Sequence, residues 1–203
     1  MKEQDYWDNI HSSYTSNYDG WLDKYLYLFD KDYKILELGA GRAYNSLFLI
    51  EKGYKNTIIS DFSKEVLEIL KNENKNIKLL ELDIRDKYPF KNNSIDIIIA
   101  DLSLHYFNDK DMKKIISEIK RVLKQGGVLI GRVNSINDAF HKPDEKYKIN
   151  EKLFFDNIMY KRFFSKEDIV CMFNEFEIIT NEEKNMERYE KPKVIIEFCI
   201  RKK

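Results

Sequence analysis

The chain has 203 residues and sets 35 Lys+Arg against 35 Asp+Glu, a formal net charge of zero. That length fits one domain, and 43% hydrophobic content is enough to fill a sizeable core. The charge balance removes any overall pull toward nucleic acid or an anionic membrane. Two cysteines without a CxxC pair exclude a disulfide framework or Cys-rich zinc centre, and no apolar run approaches the ~20 residues of a membrane helix. The opening MKEQDYWDNI has no apolar segment of the secretory kind, so a soluble, cytoplasmic protein is expected.

In chain order, residues 2–11 and 19–29 are aromatic-rich and predict helices. In the second of these, Trp21, Leu22, Tyr25, Leu28 and Phe29 fall at helical spacing. Tyr33–Leu38 then reads as a buried strand running into the turn Gly39-Ala40-Gly41, and Tyr44–Lys52 as a helix stopped by Gly53. A second strand at Thr57–Ser60 ends at Asp61. Ser63 caps a helix that carries Val66, Leu67 and Leu70 on one face. Strands at Ile77–Leu82 and Ile95–Ala100 end at Asp83 and Asp101. The pattern Met112, Ile115, Ile116, Ile119, Val122, Leu123 predicts a helix over 109–124, closed by Gln125-Gly126-Gly127. Val128–Val133 is a fifth strand, and residues 135–164 show no clear regular structure before their end. Ser165-Lys166-Glu167-Asp168 resembles a capping box, and Phe176–Thr180 and Val194–Ile200 alternate as antiparallel strands should.

The alternation of continuous apolar strands with helices predicts an α/β fold: a doubly wound, Rossmann-like, seven-stranded and mostly parallel sheet with an antiparallel C-terminal hairpin. A single domain is expected, with a helical cap (1–30), a ligand-binding core (31–134), a lid or substrate loop (135–164), and a closing helix and strands (165–203). Such sheets bind ligands beyond the carboxyl ends of their strands. Here those ends carry a glycine turn and Asp61, Asp83 and Asp101. Asp61 stands 20 residues past Gly41, where an acid can accept both hydroxyls of a ribose, so a nucleoside-containing cofactor is the economical reading. A dinucleotide fingerprint wants Gly or Ala at the position of Tyr44, and no phosphate-binding lysine follows the turn. Glu37, two residues before the turn, offers an acid to a cationic ligand instead.

The runs ILELGAGRAYNSLFLIEKGY, IISDFS, LDIRD, IIIADLSLHYF and RVLKQGGVLI, in that order, resemble the successive motifs of class I S-adenosylmethionine-dependent methyltransferases. RAYNSLFLIEKGY also resembles small bacterial enzymes of the tellurite-resistance and thiopurine group. The resemblance implies methyl transfer from S-adenosylmethionine to a small-molecule acceptor. It places the methionine part at Gly39, Ala40 and Gly41 with Glu37 orienting it, the ribose on Asp61 beside Phe62, the adenine between Asp83 and Ile84, and the sulfonium near Asp101 and Leu102. Trp7 and Tyr14 of the N-terminal segment would close over the cofactor. Ala43 stands where most relatives have a third glycine, and Gln125 where they have proline.

Other candidates have competing readings. His105, after the fourth strand, is the candidate general base or a satisfied buried histidine. Tyr106, Arg132, Asn134, His141 and Tyr160 are candidate acceptor contacts, while Phe163 and Phe164 suit core packing better than a lid. Asp61 suits a helix cap as well as a ribose. Both cysteines read as small core hydrophobes, and no metal site is expected. A non-catalytic S-adenosylmethionine-binding module is the alternative function, with a nicotinamide-dependent oxidoreductase behind it. The Asp-Leu-Ser-Leu at 101–104 replaces the Asn/Asp-Pro-Pro-aromatic signature of nucleic-acid amino methyltransferases.

Overall fold

The computed structural model describes residues 3–13 and 17–203, with backbone alone for 11–13. Helix α1 is Glu3–Ser13. The core then runs β1 (Ile35–Leu38), α2 (Tyr44–Glu51), β2 (Thr57–Asp61), α3 (Lys64–Glu73), β3 (Lys78–Glu81), β4 (Ile95–Asp101), α4 (Asp109–Val122) and β5 (Leu123–Asn134). After it come β6 (Lys148–Asn150), β7 (Leu153–Phe155), β8 (Tyr160–Arg162), α5 (Lys166–Met172), β9 (Phe176–Met186) and β10 (Lys193–Lys202). One sheet of seven strands has the order β3-β2-β1-β4-β5-β10-β9. The first five strands run parallel, and β10 runs antiparallel to both β5 and β9. Chain order moves outward from β1 to β3 and then returns to β4, so the switch point lies between β1 and β4.

Strand side chains alternate between two cores, as a period of two requires. Leu36, Leu38, Ile98, Ala100, Leu129 and Val133 face α4 and α5. Ile35, Ile97, Ile99, Val128 and Ile130 face the other way, against Trp21, Leu22 and Tyr25. Ile95 shares a face with Ile98 because the β4–β5 register shifts between Ile95 and Ile97. The predicted capping boundaries hold: Ser63 accepts from the Val66 N–H, and Ser165 and Asp168 form a reciprocal capping box.

The structure departs from the sequence reading in four places. Residues 19–29 form only a 3-10 helix at Asp23–Leu28, because burying Trp21, Leu22 and Tyr25 against the sheet fixes the path without a regular helix. The helix over 109–124 stops at Val122, since Leu123 already pairs with Ile95 as the start of β5. Residues 135–164 contain the small antiparallel sheet β6-β7-β8, although Phe163 and Phe164 are buried as the sequence reading favoured. Cys199 is buried as expected, but Cys171 is exposed because it lies on the outer side of α5.

Candidate functional site

At the switch point the chain leaves β1 through Gly39, Gly41 and Ala43, all at positive φ (62°, 52° and 57°). A Cβ on Gly39 would lie 2.8 Å from the Ser103 Cβ, so this backbone approach admits only glycine. Asp61, at the end of β2, holds the turn in shape. Its carboxylate accepts from the Gly41 N–H at 2.8 Å and from the Ser63 N–H at 2.9 Å. The cap of α3 is Ser63, so Asp61 braces the turn and does not cap the helix. Each of its oxygens keeps a second lone pair for a ligand hydroxyl.

A cavity of about 520 Å³ opens above this turn. Its walls include Glu37, Gly39, Ala40, Gly41, Asp61, Phe62, Asp83, Ile84, Asp101, Leu102, Trp7 and Tyr106, which brings together most of the residues singled out from the sequence. Tyr14 lies outside the described residues. His105, Arg132, Asn134, His141 and Tyr160 do not line the cavity. His105 is 1% exposed and sits behind the wall that Ser103, Tyr106 and Phe107 form. Arg132 is turned against Asp101 and stacks on Trp21 at 4.2 Å, and Asn134 donates to the Arg162 carbonyl. His141 meets Asp138, and Tyr160 packs on Phe155. No residue of 135–164 lines the cavity. Its cover comes from α1 and from the β9–β10 turn.

Sequence reasoning singled out Trp7 of that cover but missed Tyr6, Arg188 and Tyr189, and missed Asn45 on α2. Helix α1 is tied down where the Asp8 carboxylate accepts from the Ser63 hydroxyl and Glu3 pairs with Arg85. The aromatic density of residues 2–11 was the available signal. For Arg188 and Tyr189 there was none, since the hairpin alone brings them across the sheet.

The four strand-end acids differ in charge environment. Asp83 is clamped by Arg85, whose Nε and Nη2 donate to it at 2.6–3.0 Å. Burial works against its ionisation, and Arg85 outweighs burial and holds the carboxyl below its usual range. Asp101 takes a bidentate contact from Arg132 and a further contact from Arg188. Burial opposes its charge too, and the two guanidiniums hold it well below the ordinary value. Glu37 and Asp61 have no cationic partner among the described residues. Glu37 is 1% exposed and accepts from Asn45 and from the Ser46 N–H and hydroxyl. Burial raises its pKa to about 7 against those hydrogen bonds, with Asp101 adding to the rise. The two acids that flank the glycine turn are thus held by neutral hydrogen-bond donors, whereas Asp83 and Asp101 are held by guanidiniums.

The sheet order, with the glycine turn after β1 and acids within β1 and at the end of β2, is that of the class I S-adenosylmethionine-dependent methyltransferase fold. Residues 35–127 match the family described as a methyltransferase domain. A malonyl-[acyl-carrier protein] O-methyltransferase of Hamiltonella defensa is 30% identical over 131 residues, covering 61% of this chain and 49% of that protein. A human mitochondrial arginine-hydroxylase is 34% identical over 99 residues, covering 47% of this chain and 27% of that one. The chain therefore spans about half the length of these relatives, or less. Among solved structures, an S-adenosylmethionine-dependent methyltransferase of Methanosarcina mazei superposes with a TM-score of 0.74 at 19% identity, over 93% of this chain and 99% of that one. No helix among the described residues is long and apolar enough to cross a membrane, and no group of metal-ligating side chains occurs among them.

Proposed function

We propose that the cavity binds S-adenosylmethionine and that the protein transfers its methyl group to a small acceptor. The observation that carries this reading is the placement of Glu37 and Asp61, both without a cationic partner among the described residues, on either side of a turn that a Cβ at Gly39 would obstruct. That donor set suits a cationic amino-acid and ribose ligand and would repel a pyrophosphate. Tyr44 in the cavity wall, where a dinucleotide fold needs a small residue, disfavours the oxidoreductase reading.

The cofactor, when bound, supplies an electrophilic methyl on a sulfonium, an already activated leaving group. The chain's task is then chiefly positioning. Glu37 and the Gly39–Gly41 backbone hold the amino-acid end, Asp61 takes the ribose hydroxyls, and Phe62, Asp83 and Ile84 enclose the adenine. Trp7 meets Tyr106 edge-on at 4.8 Å over the methyl end, where the two rings exclude water and present an apolar surface to the acceptor. His105 does not reach the cavity in this arrangement, so an acceptor that must lose a proton would surrender it to water or to a group of its own.

Calorimetry with S-adenosylhomocysteine tests the reading. Binding to the wild type is expected, with a loss of about 10–100-fold in Asp61→Ala, the size of one or two ligand hydrogen bonds to a charged group. Unchanged affinity in that variant overturns the placement. The hydroxylase among the relatives keeps a non-methyltransferase reading in play. An acceptor screen with methyl-labelled cofactor separates the two, since binding without any labelled product favours the second.

A further inference from the structure

Behind Tyr189 lies a second group of polar side chains that the cofactor reading does not use. Lys193, near the start of β10, is 5% exposed, and its ammonium has no hydrogen-bond acceptor among the described residues. It rests 5.2 Å over the Tyr189 ring. Lys161, on β8, is half-buried and donates once, to the His141 carbonyl at 2.8 Å. Strand β8 packs against the short 3-10 turn that carries His105. The Nδ1 of His105 and the Oδ1 of Asn134 are buried there with no hydrogen-bond partner. A buried polar atom left unpaired costs about 1–3 kcal/mol, so two at one place, beside an ammonium without an acceptor, mark a site that something else completes.

The acids near the two lysines are engaged elsewhere. Asp138 is the one acid that faces both lysines, and it is fully buried and already accepts from the Phe140 and His141 N–H groups and the His141 ring. Asp101 is consumed by Arg132 and Arg188. Asp156 also faces Lys161 and already accepts from the Ile158 and Met159 N–H groups, and neither acid forms an ion pair with Lys161 or Lys193 among the described residues. Burial first, then the charge of Lys161, brings Lys193 down to about 8 against the opposing charge of Asp138. Burial, followed by Lys193 and Lys161, holds His105 well below its ordinary range, and so neutral.

We propose that Lys161 and Lys193, together with His105, form a subsite for an anionic group of the methyl acceptor, a carboxylate or a phosphate, reached from the cavity past Tyr189. The two ammoniums supply the charge, the neutral imidazole supplies a ring N–H, and Asn134 accepts from a hydroxyl or amine of the same ligand. Tyr189 lines the cavity, and the Lys193 ammonium lies 5.2 Å from its ring, so this side chain stands between the cavity and the lysines. The subsite rests on the methyltransferase reading for its role, but its chemistry can be tested apart from turnover.

The full chain, saturated with S-adenosylhomocysteine, is titrated with inorganic phosphate and separately with acetate. The imidazole resonances are followed by NMR, where three histidines keep the spectrum simple. A saturable shift of His105 is expected with one or both anions, and which one responds names the source. Lys193→Met and Lys161→Met should each weaken that affinity at least tenfold while S-adenosylhomocysteine binding stays within twofold, and Lys191→Met, at an exposed position, should change neither. Absence of a saturable His105 shift with either anion, or equal affinity in both lysine variants, overturns the subsite. Should Lys193→Met fail to fold, Lys161→Met at its half-buried position carries the same comparison. A wild type that ignores S-adenosylhomocysteine sinks the cofactor reading instead, and the titration without it still decides the lysines.

Discussion

The two halves of the cavity are built by different means. On the β1–β2–β3 side, the wall is backbone and local contact: a glycine turn, an acid that braces it from the next strand, and a serine that caps the following helix. On the β4–β5–β10 side, the wall is held by side chains from distant parts of the chain. Asp101 is gripped by Arg132 and Arg188, and both of these also reach Asp19. Trp21 packs under Arg132 and donates to Asn45, which in turn donates to Glu37. The first half is set by what the main chain must do near a ligand. The second is a charge network that substitutions can redistribute, and it lies where an acceptor would be chosen.

The largest effect that separates the halves is expected at Asp101. Asp101→Asn keeps the shape but leaves two buried guanidiniums with Asp19 alone. Removing one partner of a buried pair typically costs about 3–5 kcal/mol. Urea unfolding should show that loss, and a change below 1 kcal/mol would mean the network is replaceable by hydration. On the other side, Gly39→Ala should act on ligand affinity more than on folding. The new Cβ meets Ser103 at 2.8 Å in a left-handed conformation that costs an L-residue about 1–2 kcal/mol. The turn must shift away, and S-adenosylhomocysteine affinity should fall by about 100-fold. Retained affinity would show that the ligand does not lie against this backbone.

Glu37 joins the two halves and sets an expected pH dependence. Its pKa in the folded chain is about 7, against an ordinary 4.5. Between these values the native chain holds a proton that the unfolded chain has released. This group's contribution to stability is therefore fully present below pH 4.5 and lost as the pH rises through 7. A cationic ligand favours the ionised carboxylate, so cofactor affinity should move the other way and climb about tenfold between pH 6 and 8. Calorimetry at both pH values checks this, with proton release expected at pH 6. Glu37→Gln should remove the slope, and a slope that survives belongs to another group.

What the sequence revealed follows the same division. Gly39, Gly41, Asp61 and Asp83 were legible because each is fixed by its distance from a strand end, and strand ends are marked by apolar runs such as Ile97–Ala100. Arg188 and Tyr189 were not legible. They sit at the tip of a hairpin whose two strands span Phe176–Met186 and Lys193–Lys202, and only the pairing of β10 with β5 carries that tip over the cavity. Strands β6, β7 and β8 have three residues each, too few to show a period of two. Arg132 and Asn134 stood at a strand end as expected, but side-chain pairing turned both away from the cavity, which no spacing rule reports.

The smallest expected effect is the most discriminating test of the backbone-built half. Ala43 sits fully buried at φ 57°, third in a row of alternate left-handed residues whose first two are glycines. Three contributions compete in Ala43→Gly. Relief of the left-handed conformation favours the variant by about 1–2 kcal/mol. Loss of one buried methyl opposes it by about 0.8 kcal/mol, and the greater freedom of glycine in the unfolded chain opposes it by about 0.4–1 kcal/mol. The net change should lie within about 1 kcal/mol of zero. Ala100→Gly in β4 serves as the control. That alanine is equally buried but lies in ordinary strand backbone, so only the two unfavourable contributions act, and a loss of about 1–2 kcal/mol is expected. Near-neutrality at 43 beside a clear loss at 100, read by chemical denaturation, would show that the turn imposes its conformation on whatever residue stands there. Equal losses at the two positions would mean that Ala43 carries no strain, and that the turn is set by packing, as on the far side of the cavity.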